Sequence, residues 1–499
     1  MEKGIFEGLK VLDCASFIAA PAAATVLSDF GADVIKIEPP VTGDPYRNLP
    51  NLPGYPRSEH NFAWMLESRN KKSLALDLAK PEGQAVLHRL AGDADVFITN
   101  FPPAVRERLG LTYARLAPLN ERLIYASFTG YGEKGEEANK PGFDSNAYWA
   151  RSGLMDLVRA DANTTPARSI AGMGDHPCAM AFYGAIVTAL YKRERTGKGS
   201  HVSSNLMANG IWAASVLAQA KLCGAKFGER RSREHALNAM TNHYQCKDGR
   251  WIIISLLNEE KQWPAMARCI GREDFITDPR FATKADRHAR SVELIKIFDE
   301  IFATKDLAEW RKILDGNGLV FGVVGILDDI PNDKQMLENE VLVPFENDTM
   351  LTINSPIWVD GSKKVSPRKP PGIGEHSDEI LARPATTRPR SGSCGHPARW
   401  RERFTSRQSI CRPVPAARLW PLAGSRGAAP PIVATGCRSG RRRTDRHDGE
   451  DWTSRRLLAQ APRFAARSRT TRQRPAGDVR PSPRPGMPRS MRYASRPRS

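Results

Sequence analysis

Lysine is missing from the last 117 residues of this 499-residue chain: residues 383–499 hold 28 arginines, six acidic residues and no lysine. That segment carries a net charge of +22. The 74 basic and 55 acidic residues of the whole chain leave 46 and 49 for residues 1–382, a net charge of −3. The overall +19 therefore describes a tail and not a body, and the near-neutral body shows no electrostatic sign of a nucleic-acid partner. The tail also lacks any sustained apolar period, so it has little to offset its ordering entropy and is expected to be disordered. It lacks the RGG or RS regularity of arginine-rich binders as well. That favours an aberrant, out-of-frame extension over a nucleic-acid-binding tail.

Other absences narrow the field further. The eight cysteines (14, 178, 223, 246, 269, 394, 411 and 437) form no CxxC pair, so neither a disulfide framework nor a structural metal is expected, and a reducing, cytoplasmic setting is. The N-terminal MEKGIFEGLK has no signal-peptide core. The apolar run 178–191 is 14 residues long, too short to cross a bilayer, so no membrane partner is expected. A phosphate-binding P-loop is missing, and Gly172-Met-Gly174 lacks the third glycine of a dinucleotide fingerprint. NAD and ATP chemistry thus have no support, and no nucleotide cofactor or metal is assigned.

What is present is a regular alternation. Strand-like runs fall at LKVLDCA (9–15), ADVIKIE (32–38), SLALDL (73–78), DVFITNF (95–101) and RLIYASF (122–128), with helical stretches at 21–29 and 81–91. Several runs are apolar on both faces, as in a parallel sheet covered by helices. The pattern predicts an α/β fold with a large Rossmann-like domain, whose ligands sit at the carboxyl ends of strands, near 16–20, 100–108 and 129–132. Helices are expected over 177–195 and 202–219, and a hairpin over 244–256 turning at Asp248-Gly249. The division read from these signals is a large domain over 1–222, a smaller α+β domain over 223–330, a return segment over 331–382 completing the large domain, and the tail.

The stretch AGMGDHPCAM (171–180) sets a carboxylate behind two glycines and ahead of a helix with Pro177 in its first turn. Taken alone, it reads first as a helix start capped by Asp175 or His176, and only second as a reactive carboxylate.

A longer series of motifs changes that order. LSDFGADVIKIEPP (27–40), KKSLALDLAKPEG (71–83), DVFITNFPPAVRERLG (95–110), YASFTGYGEKG (125–135), GMGD (172–175), RTGKGSHVSSNL (195–206) and GEHSDEIL (374–381) occur in this order. Over residues 5–382 the chain resembles the class III CoA-transferases, the family of formyl-CoA transferase, carnitine CoA-transferase and 2-methylacyl-CoA racemase. By that resemblance Asp175 is the catalytic aspartate, which takes the acyl group as a mixed anhydride and then CoA as an aspartyl thioester. Gly174 and Asp144 belong to the same catalytic constellation, and Asp144 can alternatively cap the helix expected from Ala147. An aspartate of ordinary pKa, ~3.9, is ionised at neutral pH and needs no separate base. Backbone N–H groups of the glycines and the helix start are expected to hold the oxyanion. CoA or acyl-CoA is the implied substrate, with contacts mapped onto Leu76, Asn100, Phe101 and Arg108, and further onto Lys72 and Lys140. Arg106 and Arg108 can also be read as a solvated helix face, Arg106 the more so.

Departures from the family pattern point to specificity. Related racemases carry a His-Asp pair at the segment matching Gly142-Phe143-Asp144-Ser145, and here the histidine is Phe143. An aromatic ring cannot exchange a proton, so CoA transfer to a carboxylic acid is favoured over epimerisation of an α-methylacyl-CoA. A non-catalytic scaffold carrying a nucleic-acid-binding tail is the non-enzyme alternative. Ile18 stands where formyl-CoA transferase has a glutamine, Pro39 where many relatives have arginine, and the glycine-rich loop of formyl-CoA transferase is absent. Ile18 and Phe143 therefore suggest an apolar acyl group, branched or aromatic. The resemblance also implies an interlocked, ring-shaped homodimer.

Overall fold

The protein is described here by a computed structural model covering residues 4–383. The tail from 384 onward, with the expectations of disorder or aberrant origin attached to it, lies outside the described residues.

Six strands form one parallel sheet: β1 (Lys10–Asp13), β2 (Asp33–Glu38), β3 (Lys72–Ala75), β4 (Val96–Thr99), β5 (Ile124–Thr129) and β6 (Ser200–Asn205). Their order is β3-β2-β1-β4-β5-β6. Val11 of β1 lies opposite both Val34 and Val96, which makes β1 and β4 the centre of the sheet. Because successive side chains alternate between faces, Val11, Val96, Ile98, Ile124 and Ala126 enter one core, while Leu12, Phe97 and Tyr125 enter the other. Helix α1 (Ala19–Asp29) is buried along its whole length, and the five alanines among its first six residues allow close packing. A long helix, Asp175–Thr196, packs on the same face through Cys178, Phe182 and Ile186.

Five of these strands match the sequence pattern, and the sixth corrects it. The expected helix over 202–219 begins only at Leu206, because Ser200–Asn205 pairs in parallel with β5 along six residues. Its polar residues sit on a strand that alternates between covered and open positions, a pattern that a helix-based reading missed. Asn205 ends the strand and caps the helix, its side chain accepting the Ala208 N–H at 2.7 Å.

A second core lies within residues 239–319, where Trp263, Phe275, Phe281, Phe298, Phe302 and Trp310 pack together. Strands β7 (His243–Gln245) and β8 (Trp251–Ile254) form the expected hairpin, joined by an unforeseen third, β9 (Phe321–Val323). Residues 342–353 do not extend the large sheet; β10 (Leu342–Pro344) and β11 (Leu351–Ile353) pair only with each other. The chain beyond them runs back over the large sheet. Pro371 O accepts from Trp64 Nε1 at 3.1 Å, His376 N–H reaches Ser73 O at 3.1 Å, and Ile380 is buried in the second face. Among the described residues, no helix is long and apolar enough to cross a membrane, and no cluster of ligating side chains could hold a metal.

Candidate active site

The strand order reverses direction between β1 and β4, and the chain segments leaving these two strands open a crevice at their carboxyl ends. A cavity of about 340 Å³ occupies it, lined by Ser16–Ala19, Asn100–Pro102, Phe128–Gly130, the 138–143 segment and Asp175. Asn100 ties the two strand ends together. Its Oδ1 accepts the Ser16 N–H at 2.9 Å and its Nδ2 donates to Ser16 O at 2.6 Å.

Phe17 follows in a left-handed backbone conformation, φ +63°, which costs a bulky residue on the order of 1–3 kcal/mol. A buried polar assembly holds it there. Asp44 accepts from Ser16 Oγ at 2.8 Å and from the Phe17 N–H at 3.3 Å. Lys36 pairs with Asp44 at 2.8 Å and approaches Asp13 at 3.8 Å, while Lys71 pairs with Asp13 at 2.9 Å. Burial alone would raise the Asp44 pKa, but the Lys36 ammonium outweighs it and holds the carboxyl below its ordinary range. The Phe17 ring meets Phe143 edge to face, with centroids 5.4 Å apart. Together with Ile18, Phe128 and Leu206, these rings supply the apolar part of the cavity lining.

Asp175 opens the long helix (Asp175–Thr196), so the capping and reactive readings of this residue fall on one position. Two glycines make the turn before it possible. Gly172 has φ +85°, and a Cβ there would lie 2.8 Å from the His176 ring. At Gly174 a Cβ would meet the Tyr148 ring at 2.7 Å and Asp144 Cβ at 3.0 Å. Asp144 itself is buried in the first turn of a π-helical segment, Asp144–Ala150, and its Oδ2 accepts the Gly174 N–H at 3.2 Å. It thus braces the reactive turn instead of capping its own helix.

Two expectations change at this turn. First, burial, the Asp144 carboxylate and Glu67 push the Asp175 carboxyl up to about 7, against a downward pull from His176. The group is only partly ionised at neutral pH, because burial and the two neighbouring carboxylates outweigh the pull of His176. Second, three of the backbone N–H groups expected to hold an oxyanion are already engaged: Met173 with Ile170 O, Gly174 with Asp144, and His176 with Gly172 O.

His176 is fixed at both ends of its ring. Nδ1 lies 2.9 Å from Gly172 O and Nε2 lies 2.6 Å from Glu67 Oε1. Glu67 comes from α2 (Phe62–Ser68) and its side chain is 2 % exposed. Burial would lower the imidazole pKa, but the bond and charge of Glu67 override it and raise the ring to about 9.

The remaining sequence-derived candidates separate into two groups. Phe101 and Lys140 line the cavity beside Asn100 and Asp175. Lys140 is paired with Glu137 at 2.6 Å and lies 4.9 Å from the Tyr131 ring centroid. Lys72, Leu76 and Arg108 do not line it: Lys72 pairs with Glu379 at 2.6 Å, Leu76 packs against the second face, and Arg108 is exposed at the end of Pro103–Arg108. Arg106 is not a solvated helix face. It is buried and pairs at 2.7 Å with Glu133, which also accepts from Ser127 Oγ at 2.6 Å. Glu67, Asp44 and Phe17 escaped the sequence reading. A carboxylate in MLESRN looks like any solvated helix residue, and nothing local to Phe17 signals a positive φ.

Residues 6–377 match CoA-transferase family III. The chain is 35% identical over 386 residues to (R)-2-hydroxy-4-methylpentanoate CoA-transferase of Clostridioides difficile, covering 76% of this chain and 94% of that protein. It is 31% identical to cinnamoyl-CoA:phenyllactate CoA-transferase of Clostridium sporogenes, over 76% and 92% of the two chains. With succinyl-CoA:glutarate CoA-transferase of Mus musculus it shares 30% identity, over 75% and 85%. Among solved structures, a CAIB/BAIF family protein from Brucella suis is similar at TM-score 0.68 and 27% identity, covering 76% of this chain and 99% of that one. Rv3272 from M. tuberculosis is similar at TM-score 0.66 and 27% identity, over 76% and 100%.

Proposed function

The chain belongs to CoA-transferase family III and moves CoA between an acyl-CoA and a carboxylic acid, and on that premise we propose that Asp175 is the carboxylate that carries the transfer. The Asp175 carboxylate attacks the thioester carbonyl, the C–S bond breaks, and CoA leaves as its thiolate. The thiolate then attacks the Asp175 carbonyl of the mixed anhydride, releasing the donor acid and forming an aspartyl-CoA thioester. The acceptor carboxylate repeats the sequence in reverse, and Asp175 ends as it began, with no net proton exchanged. The observation that carries this reading is a half-buried carboxylate at a helix start, inside a cavity at the strand-order reversal.

Epimerisation finds less support. Phe143 offers no proton, and both nitrogens of His176 are engaged away from the cavity by Gly172 and Glu67. The apolar wall of Phe17, Ile18, Phe128 and Phe143 suits an acyl group with a branched or aromatic side chain. Among the described lining residues the sole cation is Lys140, which is exposed and shares Glu137 with Arg151, so a second carboxylate on the substrate would meet no buried, dedicated partner. The relatives acting on 4-methylpentanoate and phenyllactate derivatives fit that wall better than the relative acting on glutarate. We assign CoA contacts to Asn100, Phe101 and Lys140 at the cavity, and to Leu76, Lys72 and Arg108 along its outer approach. The same reading makes the enzyme a homodimer, because Ile170, Trp212, Val216 and Leu222 are 75–82% exposed in the single chain.

The test is covalent trapping. The enzyme is mixed with branched, aromatic and dicarboxylic acyl-CoAs, quenched with hydroxylamine, and its Asp175 peptide weighed. A hydroxamate on Asp175 that depends on acyl-CoA, strongest with branched or aromatic donors, is expected. An unmodified Asp175 in an enzyme that turns over would refute the assignment.

A further inference from the structure

The nucleophile sits among negative charge. Asp144 on the Asp144–Ala150 segment and Glu67 on α2 both face Asp175. Tyr46 and Cys178 are the other titratable groups near it. Around Glu67 stand Tyr46 and Lys71, and Lys71 is committed to Asp13 at 2.9 Å. His176 is the one cation adjoining Asp175 among these groups. Nδ1 faces a carbonyl oxygen at 2.9 Å, which can only accept, and Nε2 faces a carboxyl oxygen at 2.6 Å; against a carboxylate it donates as well, and a ring with two N–H groups is an imidazolium. Glu67 is in turn fixed from behind, its backbone O accepting Thr25 Oγ1 of α1 at 2.6 Å.

We propose that His176 and Glu67 form a positioning pair for the transfer: they strap the Gly172–Asp175 turn to α2 and keep one positive charge beside the nucleophile, so that a larger share of Asp175 is ionised when acyl-CoA arrives. The proposal rests on Asp175 being the nucleophile. Two ring contacts on one histidine close a loop from Gly172 O through the imidazole to α2, which fixes the turn in the direction the cavity requires. Without the imidazolium, Asp175 would face Asp144 and an unpaired Glu67, two like charges that both favour its protonated form. Without Glu67, the imidazole would revert toward its ordinary pKa and lose its charge within the working range of the enzyme.

The experiment is the pH profile of kcat/KM for the wild type, His176→Gln, Glu67→Gln and the double variant, each with hydroxylamine trapping at Asp175. The wild type is expected to show an acid limb from Asp175 and an alkaline limb from His176. In His176→Gln the acid limb moves up by about one pH unit and the alkaline limb is lost. In Glu67→Gln the alkaline limb moves down toward neutrality. The double variant returns part of the acid-limb shift, because the unpaired carboxylate is gone. A folded His176→Gln with an unmoved acid limb and full trapping would overturn the proposal. So would a wild-type profile flat to pH 10, which requires no variant to fold. Failure of the wild type itself to trap at Asp175 would instead refute the nucleophile assignment on which the pair depends.

Discussion

With its carboxyl pushed up to about 7, Asp175 is protonated in much of the population at neutral pH, and the protonated form cannot attack a thioester. Transfer is therefore expected to fall about tenfold per unit below pH 7. The same shift bears on stability. The unfolded chain releases this proton near an ordinary 3.8 and the folded chain only near 7, so the group removes stability as pH rises between those values, and the loss is complete above 7. Asp175→Asn removes the charge and keeps the shape. It should abolish transfer, with a loss of at least about 10³-fold, while raising unfolding free energy at pH 8 by on the order of 2 kcal/mol. Urea denaturation at pH 4 and pH 8 checks the second part: the gain belongs at pH 8 only, and an equal gain at both would point to packing instead of charge. Much of this residue set was legible in advance. Asp175, Gly174 and Asp144 were marked by a glycine-carboxylate turn and by resemblance. Glu67 was not, because it matters through a contact 109 residues away in sequence.

At the scale of elements, the sequence was most informative where a strand is apolar on both faces. β4 and β5 are mostly apolar and buried throughout, β1 and β2 carry apolar residues between charged ones, and burial on both sides of the sheet explains why all four could be read. β6 is the edge of the same sheet with one side open, so its SHVSSN pattern carries little apolar signal. The polar layer beneath the site was equally silent. Lys36 and Asp13 lie on strands buried almost throughout, and only the pairing of β1 with β2 brings them together. That layer predicts an effect of its own. Lys36→Met would leave Asp44 buried without its ammonium, at a cost of about 3–5 kcal/mol. It would also release the Phe17 turn, so transfer should fall even in protein that remains folded. Lys36→Met/Asp44→Asn removes both charges and should recover most of the stability but less of the activity, since Asn accepts poorly from both Ser16 and Phe17. An unfolding free energy for Lys36→Met, measured in urea, within about 0.5 kcal/mol of wild type would show that the layer is not what holds the turn.

For the whole molecule, composition and structure meet in the surface that the single chain leaves open. The helices Leu206–Ala213 and Ser215–Leu222 follow directly from β6, and together they bury only Leu206 and Gly210. Trp212, Val216 and Leu222 are 79%, 80% and 82% exposed, which is more apolar surface than two adjacent short helices of a lone soluble chain ordinarily present. Helices of this kind are stabilised chiefly by tertiary packing and would be marginal with their apolar residues in water. A second copy of the chain is the occupant that the homodimer reading supplies, and Trp212 is the largest exposed apolar group on these two helices. Trp212→Asp should therefore abolish the dimer by placing an unpaired charge where an aromatic anchor belongs, a loss of at least about 2 kcal/mol per site. Because obligate dimers often have no stable folded monomer, transfer should fall together with association, even though Trp212 does not line the cavity. Sedimentation velocity and transfer rate measured on the same samples decide the point. A Trp212→Asp protein that sediments as wild type and transfers CoA at the wild-type rate would remove this face from the interface and leave its exposure to be explained by another partner.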